Sequence, residues 1–200
     1  MVALSRQSQK EKTRRGLVKH AEALFARNGI SRTTTAEVAK SLKVSHGTVF
    51  VHFPTRDELI HAVVGEFGDR LAAALGSCLS DELPLPALLL AHLGVLAEFE
   101  DFYLRLITES QFLPPHIRGI QYGMNASLSY RFFRAAQPLM KSGKLKRMDQ
   151  PTFFNTWMSL VHYQLMNRDL FSDHTPIFSK TGGALVDRFL HLAQIERKER

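Results

Sequence analysis

The chain has one cysteine, Cys78, in 200 residues, which excludes an intrachain disulfide and with it the cross-linked scaffolds of small secreted proteins. Long apolar runs are also missing. The most apolar stretch, residues 83–99, is interrupted by Pro84, Pro86, His92 and Glu98. It is too short and too broken to cross a bilayer, so a buried helix is expected there and no membrane partner. The first residues, which include Arg6, lack the apolar centre of an export signal, and a cytoplasmic location is expected. Strand-type alternation is scarce, and there are no repeats or low-complexity tracts. The sequence also lacks a nucleophile elbow, a phosphate loop and any pair of histidines at the helical spacing of a metal-ligand set, although it has nine histidines. No enzyme activity, cofactor or metal is expected. Without a second cysteine beside it, Cys78 reads as a packed thiol rather than a redox sensor.

What is present is unevenly charged. Residues 1–60 carry 11 Lys/Arg against 5 Asp/Glu, and residues 61–200 carry 15 against 14, so nearly all of the net +7 lies in the first third. A basic segment on a neutral body suits a polyanion ligand. Charge alone does not separate that from a solvated basic tail.

Helical spacing of apolar residues dominates, and the predicted class is all-α. Leu17, Val18, Ala21, Leu24 and Phe25 share one helical face, with Asn28-Gly29 as a stop. Thr34-Thr35-Ala36-Glu37 reads as a capping box that opens a short helix through Val38, Ala39 and Leu42. Ser45 caps a third helix with Val49, Phe50 and Phe53, halted by Pro54. Thr55-Arg56-Asp57-Glu58 opens a long fourth helix to about Leu79. Further helices are expected at 85–98, 101–112, 116–142, 150–171 and 176–196, with Pro138 kinking or splitting the third of these.

Two short capped helices across a tight turn at 35–53 form a helix-turn-helix. Ala39 permits a close crossing, and Val44 and Val49 fill the angle between the helices. The outward side of the second helix offers Ser45, His46, Thr48, Val51 and His52 to phosphates and base edges, Val51 suiting a thymine methyl. Gly47 lets the backbone approach a duplex. Thr55 and Arg56 present backbone N–H groups and a cation to a phosphate. A basic N-terminal arm (Arg6, Lys10, Lys12, Arg14, Arg15) adds phosphate contacts.

The runs Leu24-Phe-Ala-Arg-Asn-Gly-Ile-Ser-Arg-Thr-Thr-Thr-Ala-Glu-Val-Ala39, Val44-Ser-His-Gly-Thr-Val-Phe-Val-His-Phe53 and Thr55-Arg-Asp-Glu-Leu59 resemble the DNA-binding domain of the TetR family over roughly residues 10–60. The resemblance implies a three-helix DNA-binding domain, residues 1–54, joined by a long fourth helix to a helical regulatory and dimerisation domain, residues 55–200. It implies a homodimer on double-stranded DNA with a palindromic operator. It further implies a repressor released by a small hydrophobic or aromatic effector; an activator or a ligand-independent regulator is the alternative, and a helical adaptor with a basic N-terminus is a third reading. By position, DNA contacts fall on Thr34 or Thr35, Ser45, His46, Gly47, Thr48, Phe50, Val51, His52 and Arg56. Three positions depart from the family: Lys43 stands where glycine is usual, Phe50 where tyrosine is, and Arg56 where lysine is. Lys43 is therefore expected at positive φ.

The C-terminal region is rich in aromatics, most of them read as core. Phe99, Phe102, Tyr103, Tyr130, Phe133, Trp157 and His162 are the candidate effector-lining residues. Glu98, Glu100, Asp101 and Glu109 read as a solvated acidic face, or as a bias toward a cationic ligand. The last two helices are apolar around much of their circumference, which predicts burial on two sides. Phe178, Gly182, Leu185, Phe189 and Leu192 are assigned on that ground to a twofold interface.

Overall fold

Among the described residues, capped helical segments separated by short turns fold into eight α-helices: α1 (Val2–Asn28), α2 (Thr35–Leu42), α3 (His46–His52), α4 (Arg56–Cys78), α5 (Leu85–Glu109), α6 (Pro115–Lys141), α7 (Gln150–Met166) and α8 (Ile177–Ala193). The structure, a computed structural model, describes residues 2–79, 82–171 and 176–194. Among the described residues there is no strand, only an isolated antiparallel bridge between Leu145 and Gln194. None of the described helices is long and apolar enough to cross a membrane.

Four boundaries differ from the sequence reading. The expected helices at 85–98 and 101–112 are one helix, α5. Glu98-Phe99-Glu100-Asp101 contains neither proline nor glycine, so nothing in the backbone breaks the hydrogen-bond ladder there. The basic arm is the first half of α1, which begins at Val2. Pro138 does not split α6: it lies in the last turn. The helix then closes with Gly143 at φ 72, the Lys144 amide donating to Leu139 O (2.9 Å) and the Gly143 amide to Met140 O (3.2 Å). Finally, α7 stops at Met166, and a short 3-10 turn, Arg168–Leu170, follows it. Residues 195–196, expected at the end of the last helix, lie outside the described residues.

The chain forms two compact units, Met1–Asp69 with Asp101–Ile120, and Arg70–Glu100 with Gln121–Arg200. The expected boundary at 54/55 coincides with the start of α4, while the first unit continues past it to Asp69. Its core is built from Leu17, Val18 and Phe25 of α1, Val38 and Ala39 of α2, Val49 of α3, Leu59, Ile60 and Phe67 of α4, and Phe102 and Leu106 of α5, all buried. Phe67 and Phe102 meet edge to face at 4.8 Å.

In the second unit Trp157 is fully buried and meets Phe189 edge to face at 5.2 Å, while Phe153 meets Phe189 at 5.3 Å. The indole Nε1–H donates to Nδ1 of the buried His92 (3.3 Å), and Phe132 meets that imidazole edge to face at 5.3 Å. Burial, with a smaller contribution from His162, lowers the His92 pKa to about 3. Pro176 gives α8 no side-chain cap. The buried carboxylate of Glu100 takes that role, accepting from the Ile177 amide (2.9 Å) and the Phe178 amide (3.0 Å).

The assigned twofold face is corrected here. Phe178, Gly182, Leu185 and Phe189 are buried inside the protomer's own second unit, as are Val186 and Ala193 on the neighbouring stripe; only Leu192 is exposed, at 52%. Apolar circumference reports how much of a helix is covered, not by which chain. The outward side of α7 instead carries Ser159, Tyr163 and Met166, and that of α8 carries Ala184, Arg188 and Leu192.

Candidate nucleic-acid interface

Local chemistry in residues 33–56 builds the helix-turn-helix. Thr34 is extended (φ −97, ψ 154) and closes a full capping box: its Oγ1 accepts from the Glu37 amide (3.2 Å), while its own amide donates to Glu37 Oε2 (2.7 Å). These bonds from the Thr34 backbone and hydroxyl hold the Glu37 carboxyl below the usual carboxylate range. Ser45 caps α3 by accepting from the Thr48 amide (3.2 Å), and Thr55 Oγ1 accepts from the Glu58 amide (3.1 Å) at the start of α4.

The turn between α2 and α3 is a Schellman motif. The Val44 amide donates to Ala39 O (3.0 Å) and the Lys43 amide to Lys40 O (3.1 Å). Lys43 takes the left-handed conformation (φ 58, ψ 40) and is the one non-glycine residue at positive φ among the described residues. The expectation at this position is met.

Arg105, Glu109, Arg56 and Thr33 fix the end of α1 and the α1–α2 turn that leads into the motif. Arg105 of α5 donates from Nε to Ala26 O (3.0 Å) and from Nη2 to Arg27 O (3.2 Å), satisfying carbonyls at the end of α1. Glu109 accepts from the amides of Ile30 (3.1 Å) and Ser31 (2.7 Å). Its approach requires Gly29 (φ 97), where a Cβ would lie 2.8 Å from Glu109 Oε1. Arg56 turns inward, donating from Nε to Thr33 O (3.3 Å) and from Nη2 to Ile30 O and to Ser31 O. Thr33 is buried and donates to Gly29 O (2.8 Å). Sequence reasoning assigned Arg56 to a phosphate and Glu100 and Glu109 to an acidic face. Arg56 is a clamp on the α1–α2 turn, and the two carboxylates are backbone caps, whereas Glu98 and Asp101 are exposed.

On α3, Ser45, His46 and Gly47 are exposed, as are Phe50 (43%) and Val51 (70%). Thr48 and His52 are half-buried. His46 meets Phe50 edge to face at 4.9 Å, and its Nε2 is 2.9 Å from Thr35 Oγ1. A Cβ at Gly47 would meet nothing nearer than Ser45 Oγ at 3.9 Å, so packing within the chain gives no reason for glycine there. His52 Nδ1 is buried without a hydrogen-bond partner among the described residues. Its pKa is lowered by burial first, then by the Lys10 and Arg14 charges. Arg14 is partly structural: it pairs with Glu66 (3.3 Å) and lies over the Phe53 ring at 5.1 Å.

The proposed effector residues are divided between the two units. Phe102 and Tyr103 are buried in the first unit, and burial raises the Tyr103 pKa. Phe99, Phe133, Trp157 and His162 belong to the second unit, and Tyr130 there is 58% exposed and lines no interior.

Residues 17–63 match the family model for bacterial regulatory proteins of the tetR family. The HTH-type transcriptional repressor Rv3405c of Mycobacterium tuberculosis is 37% identical over 68 residues, covering 34% of this chain and 36% of that protein. The chain thus spans about a third of the length of the curated relatives it matches. A tetR-family regulatory protein from Rhodococcus RHA1 superposes with a TM-score of 0.73 at 20% identity, covering 93% of this chain and 99% of that one. The regulator PfmR of Thermus thermophilus superposes with a TM-score of 0.70 at 16% identity, covering 90% and 99%. Residues 17–63 thus resemble the tetR family of bacterial regulatory proteins, and over most of its length the chain has the fold of solved structures named for that family.

Proposed function

We propose that this protein is a transcriptional regulator that binds double-stranded DNA through α3. The observation that carries this reading is the outward side of α3, rigidly capped and turned to solvent, within residues 1–60, which hold nearly all of the net positive charge. Ser45, His46, Gly47, Thr48, Phe50 and Val51 face the groove, Thr34 and Thr35 flank it, and the basic side chains of α1 reach phosphates. Arg56 acts on DNA through the α1–α2 turn that it holds. Selection of bound duplexes from a random pool with the purified chain tests the reading. Enrichment of one motif supports it, and no enrichment refutes it.

The regulator works as a cytoplasmic homodimer on a palindromic operator. Its twofold face is the exposed side of α7 and α8, around Ser159, Tyr163, Ala184 and Arg188. A monomer in sedimentation at micromolar concentration refutes the dimer. A small apolar effector binds in the second unit near Phe99, Phe133, Trp157 and His162 and releases the operator, which makes the protein a repressor. A tenfold preference for the released conformation corresponds to about 1.4 kcal/mol of coupling. Compounds that raise the melting temperature without changing operator affinity would refute the switch.

A further inference from the structure

We infer that α3 reads its site by touching thymine methyl groups with Phe50 and Val51, and not by hydrogen bonds to purines. This rests on the DNA-binding reading above and names what that interface recognises. The helix His46–His52, with its cap Ser45, contains no arginine, lysine, asparagine or glutamine. Guanidinium and amide side chains are the groups that grip the two acceptors of guanine, or the donor and acceptor of adenine, in bidentate fashion. The lysines that precede it, Lys40 and Lys43, lie on α2 and in the turn, outside α3.

The exposed polar side chains that α3 and its cap carry, Ser45 and His46, are already engaged within the protein, and His52 is half-buried. Ser45 Oγ lies 2.8 Å from Thr48 Oγ1 and also accepts the Thr48 amide, and His46 Nε2 is held by Thr35 Oγ1. His46 therefore keeps only Nδ1 for a base, a single contact. The exposed area of α3 is contributed largely by apolar groups. Val51 is 70% exposed and Phe50 43% exposed, on one side of the helix with Gly47, where the absent side chain leaves the backbone open. In the major groove the one apolar feature of a base edge is the thymine C5 methyl. An exposed valine and phenylalanine on a basic unit are complementary to that feature, with the phosphates flanking it matched by the charge.

The test is a cycle between side chain and methyl. In a site obtained by random-pool selection, each dT under α3 is replaced by dU, which removes the methyl and leaves every hydrogen-bonding group in place. Burial of one methyl contributes about 0.8 kcal/mol, so about a fourfold loss is expected at each contacted position. In Val51→Ala or Phe50→Ala that loss shrinks below about twofold at the position each side chain covers, with unfolding curves confirming that the variants remain folded. Replacing dG by 7-deaza-dG, which deletes the N7 acceptor, is expected to leave affinity within about twofold. Indifference to dU, a dU effect that survives both variants, or a dominant 7-deaza-dG effect would overturn the inference while leaving DNA binding intact. Failure to select any site would instead remove the reading on which it rests.

Discussion

Replacing Lys43 by glycine removes a steric conflict that the turn between α2 and α3 imposes on any residue with a Cβ. At φ 58 and ψ 40 the Lys43 Cβ crowds its own carbonyl, a conflict of roughly 1–2 kcal/mol for an L-residue. Its side chain is exposed, so truncation forfeits little packing. The gain is reduced by the greater freedom of glycine in the unfolded chain, about 0.4–1 kcal/mol. The expected net stabilisation is therefore about 0.5–1 kcal/mol, a rise in melting temperature of roughly 2 °C for a chain of this size. Lys43→Ala is the control, because it removes the same charge and side chain but keeps the Cβ. Urea unfolding followed by helical circular dichroism should rank the glycine variant above the alanine variant. An alanine variant as stable as the glycine variant would refute the argument, since the Cβ would then carry no penalty.

Glu109→Gln should lower stability by about 1–2 kcal/mol, because one carboxylate now serves two amides, at Ile30 and Ser31. An unchanged unfolding midpoint would show those bonds to be dispensable. Acidification should destabilise the protein through His92, which is neutral in the fold at pKa about 3 and takes up a proton near 6.5 when unfolded. Stability is then full above pH 6.5 and falls as pH drops toward about 3, by at most about 5 kcal/mol. His92→Gln should flatten that slope in unfolding curves between pH 7 and 4, and an unaltered slope would exclude His92 as its source. Operator affinity should fall with salt by roughly 0.9 logarithmic units per neutralised phosphate. Arg56→Ala should weaken binding to all sequences alike and also lower the unfolding midpoint, because it frees three backbone carbonyls of the α1–α2 turn. A changed sequence preference in that variant would place Arg56 at a base instead.

What was legible in the sequence was what is decided within a few residues. The Thr34–Glu37 box and the Ser45 cap follow from groups three positions apart, the left-handed Lys43 follows from the family resemblance, and all stand where they were expected. The contacts that hold these pieces were not legible. Glu109 meets Ile30 across 79 positions and Glu100 meets Ile177 across 77, and no local pattern separates a capping carboxylate from a solvated one. The cluster Glu98, Glu100, Asp101 and Glu109 divides between exposed residues and backbone caps only once α5 is seen as one continuous helix. Likewise, the apolar circumference of α8 predicted burial correctly but not its partner. Phe178, Leu185 and Phe189 close the protomer's own core against residues such as Trp157. The proposed DNA contacts rest in part on outward positions of the seven-residue α3, where a residue's number fixes its direction, and in part on the family resemblance, which alone supplied Thr34, Thr35 and Phe50.

The central claim, sequence-specific binding of duplex DNA through α3, is tested most directly by a competition titration. Fluorescence anisotropy would compare the selected duplex with a scrambled duplex of the same length and composition, at one fixed salt concentration. A specific regulator is expected to prefer the selected duplex by at least about a thousandfold. Equal affinity for the two duplexes would mean that the basic first unit holds phosphates without reading bases, and would contradict the account.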